Sequence, residues 1–202
     1  MKLNNLEFIH ISKTGGTSIE EWGEKNNVLW SHKKRNIFDR SFKLKYKNRY
    51  SGGNWHLPAK YFLHNPYKNK KTFMVVRNPY TKLVSEYYCK WAGPKDITNH
   101  TSEDFNNFIK HFINKKNDTH NIPQNEYLPV DHIIKFENLK EEFDNLISIY
   151  EKNIDTTLPH HNKATREKKF TEKDFYSDTI KLINEKYDRD FKIFGYNKII
   201  GT

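Results

Sequence analysis

Two periodicities alternate along the chain. Leu6–Ile11 is a short apolar run that reads as a strand, and from Thr17 to about Lys25 the spacing turns helical. Thr72–Arg77 (TFMVVR) is a compact apolar strand of the kind buried in a parallel sheet. Asn78-Pro79 then opens a helix, with Asn as N-cap and Pro at the first helical position. Leu83, Val84, Tyr87, Tyr88 and Trp91 form its apolar face. Thr101–Lys115 is a further amphipathic helix, with Asp104 placed to support its first turn. Asp131–Phe136 is a third strand, followed by a helix from Asn138 to about Lys152 with Leu139, Phe143, Leu146, Ile147 and Tyr150 at core spacing. Thr171 caps a last helix reaching about Asp188, and Phe191–Tyr196 closes the chain. Lys33–Tyr50 and Leu158–Lys169 are basic and irregular and read as loops. Alternating strands and helices predict an α/β fold with a central, mainly parallel sheet flanked by helices in three layers. No linker or repeat divides residues 1–202, so a single domain is expected. Ligands in such folds bind beyond the carboxyl ends of the strands.

The segment FIHISKTGGTSIEEW lies at one such end. Gly15 and Gly16 permit close backbone approach and unusual dihedrals. The amides of Gly16, Thr17 and Ser18 would point at an anion at the helix N-terminus, aided by the helix dipole. Thr14, Thr17 and Ser18 add hydroxyls, and Lys13 adds a compact mobile charge. The lysine precedes the glycines, so this is not the GxxxxGK[ST] order of a Walker A loop. A second constellation follows the second strand in VVRNPYTKLVSEYY. Residues 78, 81/82 and 85 share one helix face that can look back toward Arg77. Arg77 and Ser85 thus offer a guanidinium fork and a hydroxyl for a terminal phosphate.

The first segment resembles the 5′-phosphosulfate loop of sulfotransferases, and most closely the carbohydrate sulfotransferase group that includes heparan sulfate 2-O-sulfotransferases, whose strand and loop read FIHIPKTGGTS. Ser12 replaces the proline. The second resembles that family's 3′-phosphate motif RNPxxRxxSxY, with Lys82 where many members carry arginine. The segments QNEYLPVDHIIKFENLKEEFDNL, LPHHNKATREKKF and YDRDFKIFGY extend the likeness over nearly the whole chain. The resemblance implies a P-loop-NTPase-like fold and the donor 3′-phosphoadenosine 5′-phosphosulfate (PAPS), leaving PAP as product. Lys13 would reach the oxygen bridging phosphate and sulfate. Asn162 and Lys163, with Thr165 and Arg166, would lie in a loop closing over the adenosine end. The resemblance calls for no metal, and neither HExxH nor CxxC spacing occurs.

An acceptor hydroxyl must lose its proton, and histidine suits that role near neutral pH. His56 in SGGNWHLPAKYF lies between the two motifs, where 2-O-sulfotransferase-like proteins carry their catalytic histidine. A short helix is expected from Pro58. His10 belongs to the strand pattern and reads as structural. Glu20, Glu21 and Glu86 remain rival bases, since other sulfotransferases use glutamate. His160 and His161 are candidates to touch acceptor or cofactor, and Gln124 to face the acceptor.

Composition alters this picture little. The formal charge is +10, from 35 basic and 25 acidic residues. That favours an anionic ligand, and the runs Lys33–Arg35 and Lys68–Lys71 fit the steering of an anionic acceptor. One cysteine, Cys89, rules out an internal disulfide. No apolar run approaches a membrane span and the N-terminus lacks a signal-peptide core, so a cytoplasmic protein without a membrane partner is expected. The leading reading is transfer of a sulfuryl group from PAPS to a hydroxyl, implied to be on a carbohydrate. Two readings stay open beside it: a P-loop kinase or NTPase, and a non-enzymatic binder of nucleic acid or sulfated glycan.

Overall fold

Three parallel strands form the sheet: β1 (Leu6–Ile9), β2 (Lys71–Val76) and β3 (His132–Lys135), with β2 in the centre. Phe8 pairs with Phe73, which in turn pairs with His132. The computed structural model describes residues 2–30, 44–45, 50–159 and 169–200. The expected basic loops, including Lys33–Arg35, His160, His161, Asn162, Lys163, Thr165 and Arg166, fall wholly or largely outside these residues.

Successive side chains of a strand point to opposite faces, and β2 is apolar on both. Phe73 and Val75 pack on one face with Ile19 and Trp22 of α1 (Gly16–Lys25) and with Phe143, Leu146 and Ile147 of α4 (Leu139–Tyr150). Met74 and Val76 pack on the other with Leu57, Phe62, Ile122, Tyr127 and Phe194. The sheet is therefore the middle of three layers. A further core lies among α2 (Pro79–Tyr87), α3 (Ser102–Asn114), α5 (Ser177–Lys186) and α6 (Asp188–Phe194), centred on Leu83, Phe105, Ile109, Ile183 and Phe191.

Local chemistry explains where the helices start. The Asn78 side chain accepts from the Tyr80 amide, and Pro79 occupies the first helical position. Thr101 and Asp104 form a reciprocal capping box at α3. Two expectations need correction. Thr171 does form a capping box, but over a short 3-10 turn, Glu172–Asp174; α5 starts only at Ser177 and α6 follows it. Trp91 does not belong to the buried face of α2, because that helix ends at Tyr87 and the indole is 85% exposed. The short helix expected from Pro58 is a 3-10 turn, Ala59–Tyr61, with Pro58 at its N-cap. Among the described residues, no helix is long and apolar enough to cross a membrane.

Candidate functional site

The carboxyl ends of β1 and β2 bring the two motifs together. Lys13 and Gly15 both take left-handed backbone, at φ 62 and 88. This double reversal turns the chain sharply into α1, where the Ser18 amide reaches the Gly15 carbonyl at 3.1 Å. The N-cap of α1 makes no side-chain cap bond, and its first turn holds no acidic residue. That is the arrangement expected where helix-terminal amides serve an anion. Gly16 is a glycine for another reason. Its φ is not positive; a Cβ there would fall on the His10 imidazole, which is held by Glu20 through Nδ1 at 2.8 Å. His10 is thus a wall of the loop, as its place in the strand pattern suggested.

The Thr14 hydroxyl, expected to face an anion, donates to the Ile11 carbonyl at 2.9 Å and is fully buried. It braces the turn and leaves only backbone to a ligand. Thr17 is exposed and Ser18 partly so.

Arg77 meets this loop directly. Its Nη1 donates to the Lys13 carbonyl at 3.2 Å and its Nε to Thr81 Oγ1 at 3.0 Å. The guanidinium stacks 4.1 Å from the centroid of Phe136. Among the described residues, neither Arg77 nor Lys13 has a carboxylate within ion-pair distance. Burial pulls the Arg77 pKa below its ordinary value. Lys82 is buried nearby and donates to the His120 carbonyl at 2.8 Å. Its pKa is also lowered, by burial first, with Lys13 and Arg77 adding and Glu86 and Asp190 opposing. Ser85 is partly exposed on α2, two turns beyond Arg77. Thr81, rather than Ser85, is the hydroxyl on that face bonded to the guanidinium.

Gln124 does not face open space. It is buried, and its amide accepts from the Arg77 N–H and donates to the Arg77 carbonyl, both at 2.8 Å. Asp190 accepts in turn from the amides of Gln124 and Asn125, each at 2.8 Å. Sequence reasoning missed this clamp, since no local pattern links residues so far apart.

His56 is buried beside the loop. Its Nδ1 bonds the His10 carbonyl at 3.2 Å and its Nε2 accepts from the Trp55 indole at 3.1 Å. Its ring lies edge-on to His10 and His120, with centroids 4.6 and 5.0 Å away. Beyond it, His120 Nδ1 meets Glu86 Oε2 at 3.1 Å, and Ser12 Oγ donates to Glu86 Oε1 at 3.1 Å. The segment before His56 is tied to the one before His120: the Ser51 N–H bonds the Asn117 carbonyl at 2.7 Å and the Thr119 N–H bonds the Ser51 carbonyl at 3.0 Å. Of the rival carboxylates, Glu20 is bonded to His10 and Glu86 is fully buried between Ser12 and His120. Glu86, Cys89 and His120 also place donor atoms within 4.8 Å of one another, a grouping invisible in the sequence. The Lys82 ammonium on the His120 carbonyl opposes a cation there.

Burial, with the neighbouring His10 and His120, holds the His56 pKa well below the ordinary histidine value. Between the folded value and the unfolded one, about 6.5, the unfolded chain binds the extra proton. The stability contribution is therefore present above about pH 6.5 and lost as pH falls below it. His56→Gln should flatten the acid limb of stability against pH, read by urea unfolding at several pH values. An unchanged slope would sink this account.

The family model of the sulfotransferase family matches residues 2–197. Comparison with curated proteins and with solved structures finds no match. The parallel sheet flanked by helices agrees with the P-loop-like fold of sulfotransferases. With the match running over nearly the whole chain, the protein belongs to the sulfotransferase family.

Proposed function

We propose that this transferase moves a sulfuryl group from PAPS to a hydroxyl on a carbohydrate. The family supports sulfuryl transfer to a hydroxyl-bearing acceptor. The observation that carries the donor is the meeting of Lys13 and Arg77, two cations without a carboxylate partner among the described residues, at a left-handed loop opening α1. Such a site calls for an anionic ligand with more than one charged group. PAPS fits it, with a 5′-phosphosulfate for the loop amides and Lys13, and a 3′-phosphate for Arg77 and Ser85.

Bound PAPS supplies an activated sulfuryl group whose bond to the bridging oxygen breaks as a bond to the acceptor oxygen forms. By analogy with phosphoryl transfer, the transition state is loose and its charge lies on oxygens. The chain's part is then positioning and electrostatics. Lys13 neutralises the departing oxygen. The amides of Gly16, Thr17 and Ser18 hold the phosphate. The acceptor proton goes to the row of imidazoles centred on His56.

The test is thermal melting with PAP, with Mg-ATP as control. A ligand at about 100 times its Kd adds about 2.7 kcal/mol. At roughly 2–4 °C per kcal/mol for a chain of this size, the shift should be about 5–11 °C. Arg77→Ala should abolish most of it. A shift with Mg-ATP and none with PAP would favour a kinase or NTPase. Salt-sensitive binding of an anionic polymer without competition by PAP would favour a non-enzymatic binder.

A further inference from the structure

The row of three imidazoles is not symmetric in its chemistry. A carboxylate or carbonyl oxygen can only accept, so the contacts at Nδ1 place the proton on that nitrogen in all three rings. Each ring, in its neutral form, then carries its lone pair on Nε2. In His10 that edge is covered by Gly16, whose Cα leaves no space there even for a methyl group. In His56 the lone pair is taken by the Trp55 indole N–H. In His120, Nε2 has no partner among the described residues, and the side chain keeps 15% of its surface exposed. Glu86, fully buried, fixes that ring from behind, and Ser12 fixes Glu86. A carboxylate, an oriented imidazole and an Nε2 without a partner among the described residues form the arrangement by which an imidazole is readied as a base.

The dyad is also well placed. Ser12 immediately precedes Lys13, and its hydroxyl touches Glu86. Lys82, which feels the charges of both Lys13 and Arg77, holds the His120 carbonyl. The dyad thus sits against the base of the anion loop.

We propose that His120, oriented by Glu86, is the residue that takes the proton from the acceptor hydroxyl, while His56 is a positioning residue whose ring edge fixes His120. The proton leaves the hydroxyl for His120 Nε2 as the new sulfur–oxygen bond forms and the bond from sulfur to the bridging oxygen breaks, with PAP as the leaving group; the resulting imidazolium is stabilised by Glu86. This rests on the sulfuryl-transfer reading above.

Three measurements test it. Long-range proton–nitrogen correlation spectra of the labelled wild-type chain should show His120 with a protonated Nδ1 and a bare Nε2, and Glu86→Gln should remove that bias. A protonated Nε2 in the wild type would overturn the assignment. In turnover of PAPS, with water as the default acceptor and a polysaccharide panel beside it, His120→Asn should lower kcat at least ~100-fold. PAP affinity by calorimetry should stay within about threefold, because the ring does not hold the donor. If His120→Asn melts early, Glu86→Gln carries the same comparison, with an expected loss of about 10-fold. His56→Asn should lose less kcat than His120→Asn. The reverse order, with His120→Asn fully active, places the base at His56 and overturns the proposal. A wild-type chain that binds PAP yet turns over no PAPS, with water or with any polysaccharide of the panel, also overturns it, and leaves the donor site standing. A chain that binds no PAP removes the reading beneath it.

Discussion

Lys13→Ala is expected to cut sulfate transfer from PAPS by roughly 10²–10³-fold, the range for loss of one preorganised electrostatic contact to a developing oxyanion. The protein should still fold. Lys13 holds left-handed backbone at φ 62, and alanine tolerates that region about as poorly as lysine does, so the turn gains no new strain. The contact that ties this residue to Arg77 runs through the Lys13 carbonyl, which the substitution retains. No ion pair among the described residues is lost. Lys13→Arg should rescue only in part, because a planar fork is a poor replacement for a compact ammonium at one oxygen. Transfer of labelled sulfate, with melting as the control for folding, reads the effect. Full activity in the alanine variant would end the role given to Lys13.

Asp190→Ala should be the most damaging change outside the loop that opens α1. Asp190 is fully buried and accepts from two backbone amides, those of Gln124 and Asn125. Burial raises its pKa, while those amide bonds and Lys82 oppose the shift. Removing the carboxylate strands two buried N–H groups and leaves Lys82 without one of its neighbouring charges. An unsatisfied buried group costs about 1–3 kcal/mol, so a loss of roughly 2–4 kcal/mol is expected. At about 2–4 °C per kcal/mol, melting should fall by roughly 5–15 °C. The consequence reaches the site, because Gln124 holds both backbone groups of Arg77. PAP affinity should therefore fall in the variant even at temperatures where it remains folded. A melting point within 2 °C of the wild type would show that water or a neighbour replaces the carboxylate.

These two residues differ in how legible they were. Lys13 and the glycines are read in sequence because a strand–glycine turn–helix loop is local: its amides are consecutive and its charge is adjacent. Arg77, Asn78 and Pro79 are equally local, since strand end, cap and first turn are neighbours along the chain. The strand and helix pattern was readable for the same reason, with ends displaced by one or two residues. It failed where the apolar spacing continued past the end of an element, as at Trp91, and where one helical pattern held two helices, α5 and α6.

By itself the sequence determined an alternating α/β chain, a lysine-first glycine loop between strand and helix, and an arginine at the end of a buried strand. All three follow from contacts within a few residues. Only the tertiary structure decided what the polar groups of that site do. It turned the Thr14 hydroxyl inward, made Gln124 and Asp190 a clamp on Arg77, gave Gly16 its reason in the His10 ring, and set Glu86 behind His120. Each of these depends on which distant segment arrives to satisfy a buried donor or acceptor. The chain must satisfy such groups wherever it buries them, and packing alone selects the partner.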